Sequence, residues 1–358
     1  MISQRFIRSC SLLMLTVAAV SQGATYHVGN SLTWDAMYRS LPSVGKSLPD
    51  RGYHIRCSMP LPYIWEHPTD VCTPSPAPYG MIAEALGNFD WDAVTLQPHF
   101  GSTLATDTSA IVSMIDLVRS RPGNAATPIY IYETWPQQPW GKYQTVWTTP
   151  VPDADGELML QRRDYYTHLY HRVDALTDAN LRYVPAGEVL YRLSEMVDAG
   201  TLPGVTRMSQ FYRDDLHMSS LGQYVAGTTM FTALSKVHPS QLWVGTSPAV
   251  SVGMDSTEGV INQVIMDVLL DDPRSGMADF NNDGYVTNVD LALWQLGDMR
   301  ADANLDGLVD GADFVVWQRA AVPGQPPLDV EIASVPEPST WLLAMLSLVG
   351  FRAWRAAS

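Results

Sequence analysis

The sequence has few cysteines and few basic residues, and both scarcities limit what the chain can do. It has 3 cysteines and no Cys-x-x-Cys pair, so a cysteine-based zinc site is not expected. Two of them, Cys57 and Cys72, can form one disulfide or remain buried thiols. Lys and Arg number 22 against 37 Asp and Glu, for a net charge of −15. This balance lacks the basic surface that nucleic-acid binding requires, so no nucleic-acid partner is expected.

Long apolar runs are confined to the two ends of the chain. Two arginines precede an apolar stretch at 11–20, and Ser21 and Gly23 occupy the −3 and −1 positions of a cleavage site. This pattern predicts a secretory signal peptide over 1–23. The full chain is 46% apolar and 16% charged, which suffices for a good-sized globular core plus appendages.

The C-terminal end has a second targeting pattern. Val335-Pro336-Glu337-Pro338 precedes the uncharged run 339–351 and a basic tail. Residues 335–358 therefore resemble a PEP-CTERM sorting signal, which implies recognition by sorting and processing machinery. The apolar run is shorter than the about 20 residues of a stable membrane span. We expect export through an inner membrane to the cell envelope or beyond, with a processed or transient anchor.

Between 24 and 272, short apolar runs alternate with amphipathic stretches, which predicts an α/β domain with a parallel sheet of about five strands. Polar residues follow several of these runs, at the edge where such sheets place their sites. The predicted strands are Thr25–Val28, Tyr53–Cys57, Ala93–Leu96, Pro128–Tyr132 and Leu181–Pro185. The predicted helices are Asp35–Leu48, Tyr79–Leu86, Thr108–Val118, Leu158–Leu176, Leu190–Ala199 and Gly222–Val237.

Two distant motifs predict a serine nucleophile with its base. Gly-Asn-Ser-Leu-Thr, with the serine at 31, follows the first strand, and Asp214-Asp215-Leu216-His217 comes far downstream. A serine needs a base to remove its proton, and the base needs a partner that orients it. This order resembles the SGNH (GDSL-like) hydrolase family over roughly Ala24 to Leu270. The resemblance implies a flavodoxin-like three-layer sandwich and the catalytic residues Ser31, Asp214 and His217. Asp215 is the alternative partner for the base.

The same resemblance implies an oxyanion hole, with Ser31, Ser58 and Gln97 as the donors. The family's second donor is usually a glycine, whose place here is taken by Ser58, with Gly80 as a second choice. The family's third donor is an asparagine amide, replaced here by Gln97. With these substitutions the sequence resembles a divergent branch of the family.

Aromatic and imidazole side chains near this edge are candidates for substrate binding. Trp135 and Trp140 lie in a Pro- and Trp-rich stretch that predicts either a sugar-stacking wall or a rigid surface loop. His99 lies beside Gln97, and it either contacts substrate or lies on the surface.

Two acidic loops near the C-terminus repeat one ligand pattern. Residues 279–290 and 302–313 each place oxygen-bearing residues at positions 1, 3, 5, 9 and 12 and glycine at position 6, which suits calcium. The tandem repeat, with a following Trp-Gln pair in each copy, resembles a type I dockerin over 273–322, a small all-α module with a Pro-rich linker at 323–334. The resemblance implies two structural Ca²⁺ ions and either a cohesin-like partner or a calcium-stiffened spacer. The implied ligands are Asp279, Asn281, Asp283, Tyr285, Thr287, Asp290, Asp302, Asn304, Asp306, Leu308, Asp310 and Asp313.

These features together favour an exported serine esterase. We expect it to remove acyl groups, acetyl in particular, from a polysaccharide or glycoconjugate, without a catalytic cofactor. The alternatives are a non-catalytic glycan-binding protein and a calcium-dependent surface scaffold.

Overall fold

The computed structural model describes residues 24–37, 50–138, 141–152, 155–156, 162–242 and 255–321. The predicted signal peptide, linker and sorting tail lie outside these residues, as do 38–48 of the predicted helix Asp35–Leu48 and 158–161 of the predicted helix Leu158–Leu176. Among the described residues, 24–321 form one compact unit, so the segment 273–321 packs with the preceding domain.

A five-stranded parallel sheet organises the described part of the chain. The strands are β1 Ala24–Gly29, β2 Asp50–Ile55, β3 Ala93–Leu96, β4 Ile129–Glu133 and β5 Leu181–Pro185. Their order in the sheet is β2-β1-β3-β4-β5, with each neighbouring pair parallel. This is the strand order of flavodoxin-like folds, so the predicted parallel α/β architecture is confirmed.

Every residue of β3, β4 and β5 is buried. Such continuous burial is expected for strands covered by helices on both faces. The helices are α1 Ser31–Ala36, α2 Leu61–Glu66, α3 Ile82–Ala85, α4 Leu104–Arg119, α5 Tyr143–Thr148, α6 Arg163–Asp174, α7 Ala186–Asp198, α8 Ser220–Ser235, α9 Asp255–Asp271, α10 Asn288–Gln295 and α11 Gly311–Ala320. Seven of them pack in two groups: α2, α4 and α6 in one, and α1, α7, α8 and α9 in the other.

Helix α8 is buried around most of its circumference because it lies between other helices. Its contact with α1 is close at Gly227, where a Cβ atom would lie 2.7 Å from the carbonyl oxygen of Ala36. A glycine at this point therefore lets α8 approach the short helix that begins at Ser31.

Candidate active site

Ser31 lies at the first position of α1, directly after β1. Asn30 caps this helix, because its side-chain oxygen accepts a hydrogen bond from the Leu32 N–H at 2.9 Å. Gln97 stabilises this turn, because its Oε1 accepts hydrogen bonds from the Asn30 N–H at 3.0 Å and from the Thr33 hydroxyl at 2.9 Å. These buried contacts hold the turn that presents Ser31 at the carboxyl edge of the sheet.

His217 and Asp214 meet Ser31 in the geometry of a catalytic triad. His217 Nε2 lies 2.8 Å from Ser31 Oγ, and His217 Nδ1 lies 3.0 Å and 3.1 Å from the two carboxylate oxygens of Asp214. All three distances are within hydrogen-bond reach, so a neutral imidazole can accept the serine proton while Asp214 holds its other nitrogen. Asp215, the alternative partner, instead accepts the Gln138 N–H through its backbone carbonyl.

The Asp214 carboxylate is held in its ionised form. Partial burial acts to raise its pKa, but the backbone N–H groups of His217 and Leu216 and the His217 imidazole outweigh that effect and lower the pKa to about 2. Hydrogen bonds to the charged form have this direction of effect. Asp214 therefore remains an anion, suited to stabilise an imidazolium, at any pH at which the protein is expected to work.

The two predicted backbone donors to an oxyanion, the N–H groups of Ser31 and Ser58, lie in different kinds of local structure. The Ser31 N–H belongs to the first turn of α1, where N–H groups have no acceptor within the helix. Ser58 is exposed, lies in the turn after β2 and has a φ of +61°, a conformation that favours glycine. Ser58 thus has the backbone conformation that a glycine would adopt most easily, and its N–H remains a candidate donor.

Gln97 supports the nucleophile turn. Its side chain is fully buried, its oxygen accepts from the Asn30 N–H and the Thr33 hydroxyl, and its Nε2 donates to the Pro98 carbonyl at 2.7 Å. These contacts hold the amide beside the turn that presents Ser31. A role of the Gln97 side chain as a donor to an oxyanion stays a prediction.

Of the predicted substrate-binding residues, Trp135 is fully buried. Its indole N–H donates to the Leu216 carbonyl at 2.8 Å, inside the segment that connects Asp214 and His217. Its ring therefore supports that segment and is not available as a sugar-stacking wall, which corrects the expectation. Trp140 lies outside the described residues.

His99 is buried beside the triad. Burial and the nearby His217 lower its pKa to about 4, so its imidazole is neutral at physiological pH. Its Nδ1 has no hydrogen-bond partner among the described residues. Because it is buried, the surface alternative is wrong, and a contact with substrate remains a prediction.

A disulfide between Cys57 and Cys72 closes the loop after β2, which leaves no free thiol at either position. The pairing fits an exported chain. Because Cys57 precedes Ser58, the disulfide also fastens the turn in which that candidate donor lies.

The two acidic loops have the same internal structure. In each, the carboxylate at position 1 accepts the N–H groups of positions 5 and 6, and the carboxylate at position 12 accepts those of positions 2, 3 and 9. The indoles are reciprocal: Trp294 donates to the Asp310 carbonyl and Trp317 to that of Thr287. The sequence repeat is thus a structural repeat whose tryptophans join the two loops.

The carboxylate, hydroxyl and amide oxygens of the loops suit a hard cation such as calcium. Within the described ranges, however, no group of three or more His, Cys, Asp or Glu residues has the arrangement of a metal site. Asp279, at position 1 of the first loop, also forms a fully buried ion pair with Arg182 of β5. The first loop is thereby attached to the domain that carries the triad.

The comparisons with known proteins concern the tail and the fold. Residues 334–356 match the PEP-CTERM protein-sorting motif, which confirms the predicted sorting signal and indicates export and cell-envelope sorting. No curated protein sequence matches the chain. In the part of the chain that the structure describes, no helix is long and apolar enough to cross a membrane.

Three solved structures are similar at low identity. A DUF4886 family protein from Bacteroides uniformis is 15% identical, with a TM-score of 0.46, and the match covers 68% of this chain and 94% of that chain. A protein from Streptococcus pneumonia that is described as a platelet activating factor is 13% identical, with a TM-score of 0.37, and the match covers 61% of this chain and 86% of that chain. The salicylyl-acyltransferase of a tetracycline biosynthetic pathway is 14% identical, with a TM-score of 0.35 and coverage of 59% and 54%. What the site does is inferred from its own geometry.

Proposed function

We propose that this chain is an exported serine hydrolase of the SGNH type that cleaves esters through an acyl-enzyme. The observation that carries the proposal is the continuous chain of hydrogen bonds from Asp214 through His217 to Ser31, with distances of 3.0 Å and 2.8 Å. A serine, an imidazole and an ionised carboxylate in this relation form the standard apparatus for acyl transfer.

The geometry supports a definite sequence of steps. Ser31 Oγ attacks the ester carbonyl as its proton passes to His217 Nε2, and Asp214 stabilises the resulting imidazolium. The backbone N–H groups of Ser31 and Ser58 are the candidate donors to the tetrahedral oxyanion. His217 then gives its proton to the leaving alcohol. In the second half, water attacks the acyl-enzyme with His217 as base, which releases the acid and restores Ser31.

For the substrate we propose an acetylated polysaccharide or glycoconjugate. The sorting signal supports a substrate at or beyond the cell envelope. The triad also lies near the surface, with 51% of the Asp214 side chain and 28% of the His217 side chain exposed. A shallow site admits an ester group that projects from a polymer more readily than a deep pocket does.

The test measures acetate release from p-nitrophenyl acetate and from acetylated xylan by the full chain and by Ser31→Ala. We expect release by the wild type and its loss in Ser31→Ala, while the control Ser109→Ala, at an exposed serine of α4, retains activity. A folded but inactive wild type would refute the esterase and favour a glycan-binding domain.

For the residues 273–322 we propose calcium binding. The matched hydrogen-bond patterns of the two loops and their many side-chain oxygens support this proposal. The buried Arg182–Asp279 pair supports a structural role, as a module fastened to its own domain, over docking to a cohesin-like partner. Calcium should raise the Tm relative to EDTA. At a hundredfold excess of calcium over its Kd, the free energy of unfolding should increase by about 2.7 kcal/mol. An equal Tm with calcium, magnesium or EDTA would refute calcium binding.

A further inference from the structure

A single buried carboxylate, Asp35, contacts the segment that carries Asp214 and His217. Asp35 lies on α1, one helical turn after Ser31, so the two side chains lie on the same side of that helix. It is fully buried. Its Oδ2 accepts from the backbone N–H of Met218, the residue after His217, at 2.7 Å. Its Oδ1 accepts from the amide of Gln223 on α8 at 3.0 Å.

The other end of the same segment is held by Arg213, the residue before Asp214. Arg213 Nη1 donates to Asp35 Oδ1 at 2.9 Å and to the Met218 carbonyl at 3.2 Å. The Arg213 N–H donates to the His217 carbonyl at 2.9 Å, which closes the segment into a tight turn. Hydrogen bonds therefore join the two ends of this turn to each other, and the Asp35 carboxylate joins both ends to α1.

The electrostatics of Asp35 fit this connection. Burial raises the pKa of Asp35, and the Met218 N–H, the Arg213 guanidinium and the Gln223 amide act to lower it. A buried carboxylate is costly unless such donors surround it. The residue is thus embedded in a set of contacts that all lead to the segment that carries His217, or to the helix that follows it.

We propose that Asp35 is a positioning residue of the active site, which fastens residues 213–218 to α1 and thereby keeps His217 Nε2 within reach of Ser31 Oγ. The role deepens the serine hydrolase function proposed above and rests on it. Asp35 does not contact Ser31 or His217 in any recorded hydrogen bond; it acts through Met218 and Arg213.

The test compares the full chain with Asp35→Asn, Arg213→Met and Arg213→Lys. Ile111→Val, at a buried position of α4, controls for a general loss of stability. All rates are measured well below each variant's Tm. Because a misplacement of about 1 Å can cost about 100-fold in rate, kcat for p-nitrophenyl acetate should fall by about 10- to 100-fold in Asp35→Asn. KM should change by less than about 2-fold, since ester binding is not altered. Arg213→Met should resemble Asp35→Asn, Arg213→Lys should recover part of the loss, and Ile111→Val should retain the wild-type kcat.

A second readout needs no substrate. Hydrogen–deuterium exchange of the peptide that contains residues 213–219 should become about 10-fold faster in Asp35→Asn, since loss of these contacts favours local opening. It should stay unchanged in Ile111→Val. Unchanged exchange in Asp35→Asn, or a kcat within about 2-fold of the wild type, would overturn the positioning role. An inactive wild type whose exchange still depends on Asp35 would instead refute the esterase and leave the fastening intact.

Discussion

Replacement of Gln97 by methionine separates a support of the nucleophile turn from an oxyanion donor. Methionine has a similar shape but only a weakly accepting sulfur, so the buried Asn30 N–H and Thr33 hydroxyl would lose the oxygen that they share at 3.0 Å and 2.9 Å. An orphaned buried donor costs about 1–3 kcal/mol, and the backbone N–H cannot rotate to another acceptor. We expect a destabilisation of about 3 kcal/mol in total.

At about 2–4 °C per kcal/mol for a domain of this size, the Tm of Gln97→Met should fall by about 6–12 °C. The Tm is measured by circular dichroism and calorimetry, with the exposed Gln263→Met of α9 as the matched control. At a temperature where the variant is folded, kcat should fall by less than the about 100-fold that loss of an oxyanion donor causes. An unchanged Tm together with a loss of 100-fold or more would refute the supporting role and favour Gln97 as an oxyanion donor.

Three further substitutions test other parts of the structure. His27 is fully buried, and burial and the nearby Arg51 lower its pKa to about 3. Below about pH 6.5 the unfolded chain therefore binds a proton that the folded chain does not, and the free energy of unfolding decreases as the pH falls. In urea titrations, the wild type should lose about 3 kcal/mol from this group between about pH 7 and pH 4, and His27→Gln should not show this loss. Ser58→Gly should raise stability by about 1 kcal/mol because the left-handed backbone favours glycine, with kcat retained, whereas Ser58→Ala should give no gain. Arg182→Met should lower the free energy of unfolding by about 3–5 kcal/mol, measured by thermal unfolding, because it leaves the buried Asp279 carboxylate without its cationic partner. A smaller loss would mean that other contacts mainly hold residues 273–321 on the domain.

The central strands could be predicted from the sequence because burial on both faces produces short apolar runs. Ala93–Leu96 and Leu181–Pro185 have the predicted bounds. Helix starts were less accurate: α4 begins at Leu104, not Thr108, because Thr103 caps it through the Thr106 N–H. A capping contact of this kind is invisible to hydrophobic periodicity.

The three triad residues could be proposed from sequence because their types and order restrict the chemistry strongly. Asp35 was missed, since its contacts with Arg213, Met218 and Gln223 connect positions far apart in the chain. The only local signal was a carboxylate one helical turn after the serine. The contacts of the Gln97 oxygen and the burial of Trp135 likewise depend on tertiary neighbours. Polarity therefore did not predict the support that Gln97 gives to the nucleophile turn, and aromatic content predicted the wrong role for Trp135.

The most direct test of the proposed chemistry is covalent labelling of the full chain with a fluorophosphonate, followed by peptide mass spectrometry. The proposed function predicts one adduct on Ser31, absent from His217→Ala and from Ser31→Ala, and retained in Ser109→Ala. A folded wild type that is not labelled, or that is labelled at another serine, would contradict a Ser31 nucleophile activated by His217.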